Sequence, residues 1–333
     1  MMTTNETGPD EGRSLKKRVL NVLIYHKDVS IFVFTVILLA IFASVNRDFI
    51  SGQNIGTILK NIPELGIVAL GMTMLIIAGE FDLSVGSTFA LAPFIMAFIA
   101  TSTEGIPLIF AMLAAVIVGC IIGLINGLIT TKIGVPSFIT TLGMMMVVRG
   151  FMLLFSKGFP QAFHSDKPLV EIFTAQLGGF PVQFLWFIFI AFILWMVLEN
   201  TRFGNWTYVT GGNKSAAIEM GIPVDRIKIM NFMLVGGLTA IAGSIQVFRM
   251  HSAYPIQGTG MELNAIAAVV VGGTLLSGGV GTIIGTVMGV LILFSVENIL
   301  ILSQAPTFWF RLFVGLVILV SVSLRITSTR RKK

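Results

Sequence analysis

Long apolar segments recur along the whole chain, separated by short polar or glycine-rich stretches. A helix that crosses a lipid bilayer needs about 20 apolar residues, and eight of the ten segments contain 18 to 26 residues. The pattern predicts an all-α, polytopic transmembrane helical bundle of about ten helices. The predicted spans are Val29–Val45, Ile62–Gly79, Leu83–Thr103, Ile106–Thr131, Pro136–Phe155, Pro181–Leu198, Ile229–Phe248, Leu263–Leu276, Thr282–Leu302 and Phe308–Ile326.

Polar residues flank this apolar region at both ends of the chain. Residues 1–28 predict a cytoplasmic tail, with Met1–Gly12 expected to be disordered, residues 29–326 a transmembrane domain, and residues 327–333 a basic cytoplasmic tail. A positive stretch before Val29 also fits a signal peptide. The apolar run is long for that role, and no clear small-x-small cleavage site follows it, so we interpret it as the first membrane helix.

The overall composition agrees with a membrane protein. Hydrophobic residues make up 55% of the chain and charged residues 11%, against about 25% charged residues in soluble domains. These values exclude an ordinary soluble enzyme, a nucleic-acid-binding domain and a disordered chain. The long apolar runs argue against a porin-type barrel, whose strands are short and alternate in polarity.

The net charge of +6 is explained by where the cations lie. With both termini in the cytoplasm, the cytoplasmic segments contain 15 Lys and Arg residues and the opposite segments contain 5. An excess of Lys and Arg is typical of cytoplasmic loops. The bias predicts a multi-pass membrane protein with both termini in the cytoplasm, and nucleic acid need not be invoked to explain the basic charge.

Glycines recur at helical spacing in the fourth and ninth spans. Small residues four apart let two helix backbones approach closely. A similar tripeptide follows each series, Pro136-Ser137-Phe138 and Pro306-Thr307-Phe308, and the copies are five spans apart. They predict a possible inverted repeat, which is common in transporters. The two series are Gly119, Gly123 and Gly127, and Gly281, Gly285 and Gly289.

The common catalytic motifs are missing from the sequence. Gly211-Gly212-Asn213-Lys214-Ser215 has Asn where a phosphate loop needs its last glycine, and the glycine after Gly279-Val280-Gly281 comes one residue too late for a dinucleotide fingerprint. The single cysteine, Cys120, allows no internal disulfide. We expect no catalytic residue, metal site or cofactor on this chain. The histidines, which lack metal-ligand spacing, are His26, His164 and His251.

The few ionisable residues near the spans bear on the energy source for transport. Glu80 and Asp82 lie near the cytoplasmic face, Glu297 toward the outer end of the ninth span, and Arg149 within the fifth. An ion-coupled carrier usually places carboxylates at mid-membrane as ligands for the coupling ion, and these residues form no such pair. We therefore favour a partner ATPase, with an ion-coupled secondary carrier for a small polar solute as the alternative. A membrane enzyme would need polar groups clustered at one depth, and the sequence shows none.

The longest cytoplasmic loop, residues 199–228, contains a predicted short helix. Asn213 is a favourable N-cap, Lys214–Met220 suits a helix, and Gly221 with the nearby Pro223 ends it. Two interpretations stay open on this pattern alone. The helix lies among lipid head groups, or it protrudes and docks into another protein.

Three blocks of sequence identify a family resemblance. They are Ala78–Ser87, the loop motifs Thr201–Asn205, Gly211–Ala217 and Met220–Ile222, and the glycine-rich stretch Ile266–Thr282. In this order they resemble the membrane permease subunits of ribose-type ATP-binding-cassette (ABC) sugar importers. The resemblance covers residues 50–325, approximately.

This resemblance implies a ten-helix permease subunit that translocates a monosaccharide and is not itself an enzyme. It implies two cytoplasmic ABC ATPase subunits that bind ATP and magnesium, an extracytoplasmic sugar-binding protein, and a second permease copy, either identical or related. Pentoses, hexoses, polyols, nucleosides and small furanones all fit permeases of this build. The family's coupling helix maps onto Asn213, Lys214, Ala216, Ala217, Glu219 and Gly221.

Two turns in the matching blocks are candidates for the transport pathway or for demanding backbone turns. We expect Asp82 to cap the helix that follows it, stabilised by the positive end of the helix dipole. The glycines of the second turn are expected to permit a broken helix or close packing. Glu80 stands where the family usually has glycine. The candidate residues are Glu80, Asp82, Ser84, Gly86, Gly272, Gly273, Gly278 and Gly279.

Overall fold

The structure, a computed structural model, describes residues 27–102, 106–163, 168–306 and 308–330. These ranges contain thirteen α-helices. They also contain a 3-10 turn at Arg47–Ile50 and a π-helical turn at Ile129–Ile133. The helices are α1 Lys27–Val45, α2 Gly52–Ile77, α3 Val85–Ser102, α4 Leu108–Leu128, α5 Ser137–Ser156, α6 Pro168–Thr174, α7 Val182–Asn200, α8 Arg202–Gly212, α9 Lys214–Glu219, α10 Val224–Met250, α11 Met261–Val271, α12 Ile283–Leu302 and α13 Phe308–Arg330.

Four two-residue strands form two small antiparallel pairs outside the helices. The strands are β1 Gln161–Ala162, β2 Gln176–Leu177, β3 Phe180–Pro181 and β4 Ser252–Ala253. β1 pairs with β4, and β2 pairs with β3 as a hairpin.

Every one of the ten predicted spans is a helix, so the predicted all-α polytopic bundle is confirmed. Within the described ranges, seven helices are long and apolar enough to cross a membrane, namely α2, α3, α4, α5, α7, α10 and α12. The apolar parts of α1, α11 and α13 are shorter. An 11-residue helix such as α11 rises about 16 Å, which is roughly half of a bilayer core. The predicted count of about ten membrane-crossing helices is therefore only approximate.

Parts of the predicted tails lie outside the described residues. These are residues 1–26, which include His26, and residues 331–333. His164 and Thr307 also lie outside the described residues. α1 begins at Lys27, within the predicted tail 1–28, and α13 continues to Arg330, within the predicted tail 327–333.

Short polar side chains fix where several helices begin. The first turn of a helix has backbone N–H groups with no partner in the helix, and an N-cap oxygen accepts from one of them. Ser51 accepts from the N–H of Asn54, Thr201 from that of Gly204, and Thr282 from that of Gly285.

Helices α2 and α10 cross at the centre of the bundle. α2 is buried from Ile62 to Ile77, and most of α10 is buried as well. By contrast, α5 and α7 keep large side chains exposed along their length, including Phe151 and Leu154 of α5. α2 and α10 therefore form the core, and α5 and α7 have exposed apolar faces that suit lipid.

The neighbour relations between helices follow the predicted inverted repeat. α3 contacts α4, α5 and α10, and α4 contacts α10. Five spans later, α11 contacts α12, α13 and α2, and α12 contacts α2. The second set of contacts corresponds to the first set when each span is exchanged for the span five places away in the chain.

The two glycine series lie where helix backbones approach most closely. A methyl group on Gly119 would overlap the carbonyl group of Gly236 in α10, and one on Gly236 would overlap the carbonyl of Gly119. In the second series, a methyl group on Gly285 would overlap the carbonyl of Gly272, and one on Gly289 would overlap the carbonyl of Ala268. The sequence prediction of close packing at both series is confirmed.

The Gly119–Gly236 contact gives a test of this packing. Gly236→Ala should lower the free energy of unfolding by about 1–3 kcal/mol, because overpacking forces backbones apart. The measurement is thermal denaturation of the detergent-solubilised protein. In the matched variant Gly143→Ala, the methyl group would meet nothing within 4 Å on α5, and alanine is the better helix former. Equal destabilisation in both variants would contradict the packing argument.

Candidate functional site

The predicted cytoplasmic loops meet at one end of the bundle, which we call the basic end. It consists of residues 78–84, 129–136, 199–228 and 272–282. Lys228 Nζ binds Glu80 Oε1, and Lys132 Nζ lies 2.8 Å from Asp225 Oδ2. At the opposite end, the far end, β1 pairs with β4, and Asn54 of α2 donates to Asn298 of α12 at 2.9 Å. The grouping of loops at two ends agrees with the predicted alternation of spans.

Five glycines from three segments meet at the basic end, and we call this contact the glycine junction. Its members are Gly79, Gly211, Gly212, Gly278 and Gly279. A methyl group on Gly278 would lie 2.9 Å from Gly79 Cα and 3.0 Å from Gly211 Cα. There is thus no room for a side chain at Gly211 or Gly278, between the end of α8 and the turns that follow α2 and α11.

The turns of the junction are held by backbone geometry that favours glycine. Gly79, Gly278 and Gly279 have φ angles of +84°, +82° and +75°, which residues with a Cβ atom rarely adopt. The N–H of Gly279 donates to the carbonyl of Ile77, at the end of α2, over 2.8 Å. The turns that follow α2 and α11 are therefore joined through their main chains.

Gly272 and Gly273 end α11 and so break the eighth span, as the sequence predicted. Gly273 has a φ of +88°, and Gly272 packs against the backbone of Gly285. The main chain then turns through residues 274–281 before α12 begins.

The predicted short helix follows the junction directly. It is α9, and the side chain of Asn213 accepts from the N–H of Ala216 at 3.1 Å. Gly221 has a φ of +72° and ends the segment. Lys214 and Glu219 are exposed, whereas Ala217 is buried and Ala216 is half-buried. The exposed surface also contains Ile218, which is 57% accessible, and Met220, which is 61% accessible.

Asp82 lies in a buried polar cluster between α2 and α3. Its Oδ1 accepts from the N–H and the hydroxyl of Ser84 at 2.7 and 2.6 Å, and its Oδ2 accepts from Asn126 of α4 at 3.1 Å. Burial raises the pKa of the Asp82 carboxyl, and the hydrogen bonds from Ser84 and Asn126 act in the opposite direction. Asp82 thus fixes the turn three residues before α3 begins, where the sequence predicted a cap, and it bonds Ser84 rather than an N–H of α3 itself.

Glu80 makes an ion pair that accounts for a carboxylate at this position. Its side chain and that of Lys228 are only 13% and 12% exposed. Lys228 lies in the second turn of α10, shortly after α9. The pair joins the turn after α2 to α10, the helix that follows α9.

Gly86 lies apart from the basic end, at a contact inside the bundle. It packs against Gly258, in the loop that leads into α11. Arg149 of α5 donates to the carbonyls of Gly86, Pro255 and Gln257 at 2.9, 2.6 and 3.1 Å. The guanidinium group satisfies loop carbonyls that would otherwise lack partners inside the bundle.

Three residues in buried polar contacts were not singled out from the sequence as site residues. They are Asn126 and Lys228, described above, and Glu64 of α2, which accepts from Nε and Nη2 of Arg249 in α10 at 2.8 and 2.6 Å. Asn126 lies in the apolar run of α4, Lys228 was counted only as a loop cation, and Glu64 lies within the predicted second span. A polar residue inside an apolar run is the signal that could have identified Asn126 and Glu64, because such residues need a partner.

Comparison with known proteins agrees with this arrangement. Residues 54–322 match the family described as branched-chain amino acid transport system / permease component. The chain belongs to this permease family. It is therefore a membrane permease subunit, not an enzyme.

Individual relatives are similar over most of their length. The chain is 40% identical to the ribose import permease protein RbsC of Bacillus subtilis, with 86% of this chain and 89% of the relative covered. It is 38% identical to RbsC of Escherichia coli K12, with 86% and 89% covered. It is 32% identical to the xylose/arabinose import permease protein XylH of Sulfolobus acidocaldarius, with 81% and 76% covered. No solved structure matches the chain.

The glycine junction predicts a sharp difference between two adjacent positions. In Gly211→Ala the methyl group would overlap the Ile77 carbonyl, which accepts from Gly279, whereas in Gly212→Ala it would lie 3.7 Å from Gly279 Cα. Hydrogen–deuterium exchange of the segment 276–282 should be at least about tenfold faster in Gly211→Ala, because the broken bond costs about 1–3 kcal/mol. Gly212→Ala should exchange like the unmodified permease. Equal exchange rates in the two variants would contradict this account.

The two ion pairs of the basic end predict unequal losses of stability. Glu80→Ala should cost about 1–3 kcal/mol, because it leaves Lys228 largely buried without a counter-charge. Asp225→Ala should cost less than about 1 kcal/mol, since its partner Lys132 is 60% exposed. Melting temperatures in detergent, at low and high salt, measure both. A lower melting temperature for Asp225→Ala than for Glu80→Ala would contradict this account of the two ion pairs.

Proposed function

We propose that the permease is the translocation subunit of an ABC importer that carries a monosaccharide into a bacterial cell. The observation that carries the proposal is the glycine junction, because it connects the segment that leads into the exposed helix α9 to the turns that follow α2 and α11 without intervening side chains. The similarity to ribose and xylose/arabinose import permeases supports a sugar as the cargo.

The partners follow from this assignment. ABC ATPase subunits with bound ATP and magnesium would dock at the basic end, on the surface formed by Asn213, Lys214, Ala216, Glu219 and Gly221, while the buried Ala217 anchors α9 from beneath. A sugar-binding protein would dock at the far end. A second permease, identical or related, would complete the membrane part. The excess of Lys and Arg supports a cytoplasmic basic end in an inner membrane.

In the proposed mechanism, α9 is the helix that the ATPase moves. Closure of the ATPase dimer displaces α9, and the displacement passes through Gly211 and Gly212 to the turns that follow α2 and α11. The bundle then closes at one end and opens at the other. The ATPase can shift this equilibrium only if its ATP-bound form prefers one state of the permease, since equal affinity for both states shifts nothing.

The direct test is uptake by proteoliposomes. The permease is reconstituted with its ATPase and its binding protein, and ribose, xylose and leucine are offered in turn. We expect ATP-dependent accumulation of a sugar. Leucine uptake would instead favour the branched-chain amino acid cargo that the family description mentions, and uptake by the permease alone with an ion gradient would favour the ion-coupled carrier.

Docking on α9 is tested separately by co-purification. Ile218→Asp should reduce recovery of the ATPase about tenfold, because a charge replaces an apolar side chain at the centre of the contact. Reversing the charge of Glu219 or deleting Asn213–Gly221 should have the same effect. Leu177→Asp is the matched control, since Leu177 is similarly exposed, at 63%, but lies in the hairpin β2–β3. Equal recovery of the ATPase with Ile218→Asp and with Leu177→Asp would mean that the ATPase does not bind at α9.

A further inference from the structure

An apolar groove lies between α6 and the first part of α7, on the outer surface of the bundle. Its volume is about 280 Å³. It opens outward, since Ile172 of α6 is 50% exposed and Phe189 of α7 is 51% exposed. None of the residues predicted from the sequence as site residues lines it. The lining residues are Ile172, Val182, Leu185, Trp186 and Phe189.

The walls of the groove are held in place by contacts within the protein. The indole N–H of Trp186 donates to the carbonyl of Ile172 at 2.8 Å. The same indole stacks on the ring of Phe173 in α6, with 4.9 Å between the ring centroids. Phe173 is buried and packs in turn against Phe248 of α10, with ring centroids 5.9 Å apart. The groove is therefore formed in advance, as ligand sites usually are.

The lining of the groove favours an apolar occupant over water. Four of the five lining side chains contain no polar atom, and the N–H of the fifth, Trp186, is already bonded to Ile172. The groove is much larger than the roughly 10–15 Å³ that one water molecule needs, but a bound water also needs two to four polar partners. An apolar ligand, by contrast, gains free energy from every part of its surface that it buries here.

The position of the groove along α7 places it within one leaflet of the bilayer. Gln183 donates to the carbonyl of Lys60 at 3.2 Å, so α7 starts level with the polar part of α2 that precedes the apolar run from Ile62. Phe189 lies seven residues beyond Val182, which is about 10 Å deeper at 1.5 Å per residue. This depth is about a third of a hydrocarbon core of roughly 30 Å. Acyl chains of the far-end leaflet fill the bilayer at that depth.

We propose that the groove is a resident binding site for one acyl chain of a phospholipid from the leaflet at the far end. The groove is continuous with the exposed apolar face of α7, which suits lipid, and the exposed Leu177 and Phe180 extend this surface onto the hairpin β2–β3. A chain between α6 and α7 contacts walls from two helices. It therefore exchanges more slowly than lipid that touches a single exposed helix face. The proposal depends on the membrane position of α7, and not on the cargo or the ATPase.

Tryptophan fluorescence of the full-length permease in detergent tests the site. One variant keeps Trp186 alone and a second keeps Trp195 alone, with phenylalanine at the other positions, which include Trp206 and Trp309. Each is titrated with phosphatidylcholine that has brominated acyl chains. Quenching of Trp186 should saturate near equimolar lipid. Quenching of Trp195, which is exposed on α7 outside the groove, should rise gradually without saturating in that range.

Native mass spectrometry tests the site without changing the tryptophans. The unmodified permease, purified in mild detergent, should retain a bound phospholipid. Val182→Phe should reduce the retained lipid about tenfold, because the ring fills the groove and weakens binding by competition for the same space. The matched control is Ile188→Phe, which adds the same ring to an exposed position of α7 outside the groove and should leave the retained lipid unchanged.

Two results would overturn the proposal. Identical titration curves for Trp186 and Trp195, or equal lipid retention in Val182→Phe and Ile188→Phe, would make the groove an ordinary part of the lipid-facing surface. Quenching of Trp186 in a monomeric permease but not in a permease dimer would assign the groove to a second copy of the chain instead of a lipid.

Discussion

A backbone that leaves its helix inside an apolar bundle must find hydrogen-bond partners within the protein, since lipid offers none. This requirement governs the loops on either side of α3 and α11. The Gly279 N–H bonds the Ile77 carbonyl, Arg149 bonds three carbonyls of the inner contact, and Asp82 bonds the turn before α3. At these three places the freed backbone groups have partners within the protein.

The close approach of main chains follows from the same requirement. Backbone groups can bond each other across two segments only where no side chain separates them, and glycine provides that access at Gly79, Gly211 and Gly278. The end of α8 is therefore in direct main-chain contact with the turns after α2 and α11.

Much of the architecture was predictable from local sequence. Each apolar run became a helix, the glycine series gave the close crossings, and Asn213 and Gly221 gave the start and end of the short helix. These features depend on residues close together in the chain. The partners of Glu80 and Asp82 were not predictable, because Lys228 and Asn126 are distant in sequence and only the packing of α4 and α10 brings them near. Glu64 pairs with Arg249 across α2 and α10 for the same reason, and the sequence shows no local sign of this pair beyond one carboxylate in an apolar run.

The inverted relation between the two halves has a geometric consequence at Gly86 and Gly258. α3 starts at this contact and rises to the far end, where Thr101 meets Gln161, while α11 starts beside it and descends to the basic end. Gly86 and Gly258 therefore form one backbone contact from which the first helix of each half leaves toward the opposite end of the bundle.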